Sequence, residues 1–199
     1  MKKIANFLNR NKHIILMTLS FLILDIVLRY FTKSINFYKI HYLVPNLFTI
    51  GWIFLTLSFC LSLKSKYGKS IYIIAISISL LLFLTHSIYY SYFKTFFDFS
   101  VLKYAGEGGE YLIDAIKSSP IWVFITTFIT PKKEKNNFKY LMVLIPVFAL
   151  IHTITPLFLG EKVSTWDAWR KPRNVYIAFN DNNRSMQVAG FYEYNIRNL

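Results

Sequence analysis

Three stretches of this chain, Tyr42 to Leu63, Ile71 to Phe93 and Tyr140 to Gly160, run without a single Asp, Glu, Lys or Arg. A helix crossing a bilayer needs about 20 mostly apolar residues, and each stretch meets that length. Ile14 to Leu28 is a fourth, interrupted only by Asp25. Its basic leader, with Lys2, Lys3, Arg10 and Lys12, has the charge of a signal peptide's first region. No small-residue cleavage site follows it, because Arg29, Tyr30 and Phe31 come next, so it reads as an uncleaved anchor. The spacing predicts an all-α, multi-pass membrane protein.

A fifth span is weaker. Ser118 to Pro131 supplies only a short uncharged run, which reaches bilayer length if Tyr111 to Ile116 continue it. A re-entrant segment competes with that reading. Charge arbitrates between them. With five spans, at about 13–31, 42–63, 70–93, 111–131 and 140–160, and a cytoplasmic N-terminus, the inner segments carry three basic clusters. These are Lys2 to Lys12, Lys64 to Lys69, and Lys132 to Lys139. The outer loops hold only Arg29, Lys33, Lys39, Lys94, Lys103 and Lys117. Cytoplasmic loops carry the excess of Lys and Arg, so five spans are expected, with the C-terminus outside the cell. Residues 94–110 read as an interfacial segment, and 161–199 as a short extracellular tail.

The net charge of +13 belongs to this pattern. In a chain that is 54% hydrophobic, such charge marks loops and lipid headgroups rather than nucleic acid, and no base-reading element stands out. Cys60, the one cysteine, has no internal disulfide partner.

Polar residues within the spans are few. Asp25 and Arg29 share a helix face at i, i+4 and form an expected intramembrane pair near the outer interface, most simply fixing the register of the first helix. His86 and His152 lie in spans without carboxylates. That excludes a proton relay and leaves each to bond to a neighbouring helix. No metal-ligand spacing is present. The spans lack paired charges, broken helices and an inverted repeat, which counts against a transporter.

Two outer segments carry candidate lipid contacts. Aromatic side chains crowd the end of the third span, where rings favour the headgroup layer. Beside them Lys94 and Lys103 can attract an anionic headgroup while Asp98 orients one of them. After the last span, Trp166, Trp169 and Arg170 form an interfacial anchor that can also steer anionic lipid. An ordinary interfacial belt is the simpler reading of both sets and is compatible with lipid contact.

The stretch "YYSYFKTFFDFSVL", through Tyr89, Tyr90, Phe93, Phe97, Asp98 and Phe99, resembles the segment after the third span of the lipoteichoic acid synthase family. "NVYIAFNDNNRSMQVAGFYEYNIRNL" is similar to that family's juxtamembrane segment, through Asn180, Asp181, Asn183, Arg184, Ser185, Met186, Gly190, Tyr192, Glu193, Tyr194 and Arg197. The resemblance implies a bacterial, sulfatase-like enzyme that moves phosphoglycerol from phosphatidylglycerol onto a teichoic acid, with a Thr nucleophile and manganese. About forty residues follow the fifth span, too few for such a domain. Their acids, Glu161, Asp167, Asp181 and Glu193, come with no His. No catalytic residue and no cofactor site is therefore expected in this chain, and manganese is implied only for the catalytic domain it lacks. The expectation is a cell-membrane anchor, truncated or split from its enzyme and inactive alone. The alternative is a free-standing membrane partner that binds anionic lipid or a full-length relative. In the tail, Asn182 and Asn183 supply turn and cap chemistry, and Met186 to Arg197 forms one short helix. Without a catalytic domain to pack on, Phe191, Tyr192 and Tyr194 should lie on the membrane or fray.

Overall fold

The computed structural model describes residues 11–33, 43–104, 117 and 138–199. The expected span over 111–131 lies outside the described residues, Lys117 apart. Four helices are long and apolar enough to cross a bilayer. They are α1 (Lys12–Phe31), α2 (Val44–Ser62), α3 (Ser65–Phe93) and α4 (Lys139–Ile154), the last prolonged by a 3₁₀ turn, Thr155–Leu159. Among the described residues no strand is present.

Local chemistry sets the helix ends. Pro45 sits in the first turn of α2, where its missing N–H costs nothing. Lys94 adopts a left-handed conformation (φ 58°) and closes α3 with an N–H bond to the Tyr90 carbonyl. Pro146 lies inside α4 and leaves one carbonyl without its helical donor, a break that membrane helices tolerate when neighbours compensate. Pro156 opens the 3₁₀ turn and Gly160 (φ 83°) ends it.

Side-chain contacts fix the helix directions. Ser20 and Tyr72 meet at 3.1 Å, and the Tyr90 hydroxyl donates to the Thr32 carbonyl at 3.0 Å, so α1 and α3 run parallel. A two-residue connection turns α3 back along α2. Phe48 packs on His152 and Trp52 on Phe148, so α4 is antiparallel to α2. Gly51 permits that approach, since a Cβ there would lie 2.9 Å from His152 Cε1. The helices α1, α3 and α4 thus point one way and α2 the other. Lys12, Lys64, Lys66, Lys69 and Lys139 gather at one end, called the lysine side below. Phe31, Val44, Phe93 and Leu159 gather at the other.

The C-terminal segment differs from its expectation. It forms three short helices, α5 (Pro172–Ala178), α6 (Asn182–Ala189) and α7 (Phe191–Arg197), instead of one frayed helix. Asp181, not Asn182 or Asn183, caps α6, accepting the Arg184 N–H at 3.0 Å. Gly190 then breaks the chain with φ 79° and ψ 173°, a combination essentially reserved for glycine. A Cβ on Gly190 would also fall 2.8 Å from the Pro45 carbonyl oxygen.

Far from lying on the surface, this segment folds into the bundle. Met186, Ala189, Phe191 and Tyr194 are completely buried and join the core with Phe21, Leu28, Phe83 and Phe96. The reason is chemical as much as apolar. The spans contain buried polar groups that lack partners within the spans, and α7 supplies them.

Candidate functional site

The polar residues of the spans converge on α7. Its partners Phe21, Trp52, His86 and His152 lie seven to ten residues inside the tail-side ends of their helices, about 10–15 Å at helical rise. α7 therefore packs well inside the tail-side end of the helix bundle.

The first contact is the expected pair. Arg29 Nε donates to Asp25 Oδ1 at 3.0 Å and Nη2 to Oδ2, with both side chains almost wholly buried. Arg29 also donates to Asn46 Oδ1 on α2. Sequence reasoning missed the other half of the arrangement. Asp25 Oδ1 accepts the backbone N–H of Phe191 at 3.0 Å, the first residue of α7.

The second contact centres on Glu193. Trp52 Nε1 donates to its Oε2 and the Tyr176 hydroxyl to its Oε1, both at 2.8 Å. His152 Nε2 lies 3.3 Å from Oε2, yet its direction gives no hydrogen bond. His152 Nδ1 faces the Phe148 carbonyl of its own helix at 3.1 Å and must be the donor there. Nε2 thus faces the carboxylate at 3.3 Å, and the two form an ion pair when the ring is protonated. Burial pushes the Glu193 carboxyl upward, but His152 above all, with Trp52 and Tyr176, more than offsets this and holds it below the usual range. Burial and the Glu193 charge push the Tyr176 phenol up.

The third contact is His86. Its Nδ1 accepts the Phe97 N–H at 3.2 Å, so Nε2 carries the proton and donates to Asn195 Oδ1 at 2.9 Å. Both nitrogens of a wholly buried ring are satisfied in the neutral state. The expected bond to a neighbouring helix exists, but the partner is the tail. Tyr192 and Tyr194 add hydroxyl bonds to the Phe21 and Phe97 carbonyls.

Each carboxylate oxygen of Asp25 and Glu193 accepts at least one internal hydrogen bond, and through these bonds the two residues hold helices together. Among the described residues no group of three His, Cys, Asp or Glu converges for a metal ion.

The candidate lipid contacts are arranged differently from the expectation. Trp169 stacks with two guanidinium groups, Arg170 at 4.5 Å and Arg184 at 4.1 Å from the ring centroid. Arg184 also donates to the Trp169 carbonyl. Arg184 was legible only as a resemblance residue, and its role here comes from α6 folding back. Trp166 stands 86% exposed on the neighbouring turn. Lys94 is beside this group through its backbone, whose carbonyl accepts from Asn183 Nδ2 at 3.0 Å, while its ammonium binds the Ser91 carbonyl. Asp98 does not orient Lys94. Its carboxylate accepts the Ser100 N–H at 2.7 Å. The Lys103 side chain lies outside the described residues.

In comparisons with known proteins, no family model, no curated protein and no solved structure matches this chain.

Proposed function

We propose that this chain is the membrane anchor of a lipoteichoic-acid-synthase-like phosphoglycerol transferase, inactive by itself. In this reading the chemistry belongs to a sulfatase-like domain outside the membrane. One observation supports it above others. Residues from both resembling stretches take part in docking the tail. Tyr194 bonds to Phe97, Asn183 to Lys94 and Phe96, and Gly190, Tyr192 and Glu193 make the contacts of α7. Two stretches 80 residues or more apart, resembling one family, meet in one structural unit.

The parallel run of α3 and α4 supports the five-span topology, because the chain between them must return to the side where α3 began. The gathering of lysines at one helix end supports a cytoplasmic lysine side and an extracellular tail side. The Trp169–Arg170–Arg184 stack then sits at the outer headgroup layer, suited to anionic lipid such as phosphatidylglycerol.

The test is immunoprecipitation from native membranes with an antibody against the Lys132–Lys139 loop, followed by transfer of labelled glycerol phosphate from phosphatidylglycerol. Transfer activity in the precipitate, with a sulfatase-like polypeptide present, supports the anchor reading. A precipitate with neither overturns it. The fully packed tail favours one second reading, a self-contained membrane partner of a full-length relative. Recovery of a short chain together with a separate enzyme would select that one.

A further inference from the structure

The two histidines that face the tail are held in opposite ways. His86 meets a donor on one nitrogen, the Phe97 N–H, and an acceptor on the other, Asn195 Oδ1, so the neutral ring satisfies both. His152 meets an acceptor on each side. Its Nδ1 faces the Phe148 carbonyl at 3.1 Å and its Nε2 faces Glu193 Oε2 at 3.3 Å. A neutral imidazole carries one N–H and cannot serve both. With that proton on Nδ1, Nε2 is left buried without a hydrogen-bond partner. With it on Nε2, the Phe148 carbonyl loses its donor. Only the imidazolium suits both neighbours, and at this distance charge attraction does not require hydrogen-bond alignment.

The ring is fixed in place. α2 presses on it at Gly51, where a Cβ would lie 2.9 Å from Cε1. The Phe148 ring stands 4.0 Å from its centroid, a distance at which an aromatic face attracts a cation. The surrounding charges leave the pairing to Glu193. α2 has no Asp, Glu, Lys, Arg or His, its Cys60 lies two turns beyond Trp52, and α4 carries only Lys139 and Tyr140, at its lysine end. From α5 come Tyr176, bound to Glu193 Oε1, and Arg173, bound to the Pro156 carbonyl. On α7, Arg197 stacks over Tyr176 and Phe179, while Tyr192 and Tyr194 bond to the Phe21 and Phe97 carbonyls.

We infer that His152 is a proton-operated latch on the tail: protonation of its ring pairs it with Glu193 and tightens the docking of α7 against α2 and α4. The docked tail supplies the second acceptor, so the docked state holds the proton better than the undocked one. Docking therefore strengthens as pH falls through the imidazole range, about 8 to 5. Glu193, held below the usual carboxylate range, stays ionised there. A proton on His86 Nδ1 would displace the Phe97 N–H, so that ring has no part in the latch. The latch depends on the packing of α7 alone and stands apart from the enzyme reading above.

The test is hydrogen exchange of the whole chain in detergent micelles at pH 7.5 and 5.5, with protection factors for residues 191–197 corrected for the intrinsic pH dependence of exchange. The expected result is a rise of about fivefold at pH 5.5, the upper end of what a solvent-exposed ion pair supplies, for side chains here only 20% and 6% exposed. Amides in the middle of α2 should not follow. His152→Gln and, separately, Glu193→Gln should each abolish the rise while α7 remains protected at pH 7.5, and either variant serves if the other fails to fold. Nitrogen-15 spectra of histidine-labelled protein should show both ring nitrogens of His152 protonated at pH 5.5, the signal being identified by its loss in His152→Gln. Protection that is level or falls between pH 7.5 and 5.5 overturns the inference. So does a rise that persists in either variant, or a His152 ring that is still neutral at pH 5.5.

Discussion

Replacing Glu193 by Ala tests the docking of the tail directly. The carboxylate receives two hydrogen bonds of 2.8 Å, from Trp52 on α2 and Tyr176 on α5, and is 5% exposed. Alanine leaves both donors without an acceptor. An orphaned buried donor costs about 1–3 kcal/mol, while hydrogen bonds measured within membrane proteins average nearer 0.6 kcal/mol. A total of about 2–3 kcal/mol follows, which raises the population of undocked α7 roughly 30- to 150-fold. Hydrogen exchange in detergent micelles reads this population through the amides of residues 191–197. Their protection should fall by that factor while amides in the middle of α2 keep theirs. Glu193→Gln, which keeps the shape and one acceptor oxygen, should cost about tenfold or less. A change below threefold in the Ala variant, or a uniform loss across the bundle, would refute the claim that Glu193 fastens α7 to the helices.

Three further outcomes follow from the same geometry. Gly190→Ala should loosen α7 by about 1–3 kcal/mol from backbone conformation alone, with more from the contact to the Pro45 oxygen, and exchange at 191–197 should report it. Asp25→Ala leaves Arg29 buried without its carboxylate and should cost about 3–5 kcal/mol, seen as a fall in folded yield and melting temperature. The double change Asp25→Leu with Arg29→Met should recover most of that stability but not the protection of the Phe191 amide. Finally, Glu193 is held below its ordinary value of 4.5, so its contribution to docking is fully present above that pH and is lost as pH falls through the depressed value. Protection factors for α7 should show no loss from pH 7 to 5 and drop on further acidification. A drop already complete at pH 5 would contradict the assignment.

What the sequence reveals depends on which solvent a residue is assumed to meet. Four apolar helices were legible because apolar runs of bilayer length have few alternative uses, and the boundaries of α1 and α2 agree within two residues of those expected. The Asp25–Arg29 pair was legible because i, i+4 spacing places two charges together on any helix. The tail was misread because Asn182, Asn183, Arg184, Glu193 and Asn195 look like residues for water. A signal was present in the spans instead. Trp52, His86 and His152 bring buried donors and acceptors, and Asp25 has more acceptor capacity than Arg29 uses. Such groups need partners, and with few polar residues in the other spans, the demand points to the polar tail. The cap at Asp181 fell one residue before its expected place because Asp, Asn182 and Asn183 are nearly equivalent cap formers, and only the fold selects among them.

The same accounting explains why charges occur in the bundle at all. A helix that starts inside a packed bundle buries backbone N–H groups, and no water is there to accept them. Gly190 creates such a start at α7. The Phe191 N–H needs an acceptor from another helix, and Asp25 provides a strong one. A buried carboxylate in turn needs a counter-charge, which Arg29 supplies one turn away. The guanidinium has donors left over, and Asn46 takes one of them. The sequence from Gly190 through Asp25 and Arg29 to Asn46 is therefore one chain of requirements set off by a single helix break. The Asp25–Arg29 pair, expected to fix the register of α1, also anchors the start of α7. Removing the tail contact leaves Asp25 Oδ1 with the Arg29 Nε bond alone, and the salt bridge intact.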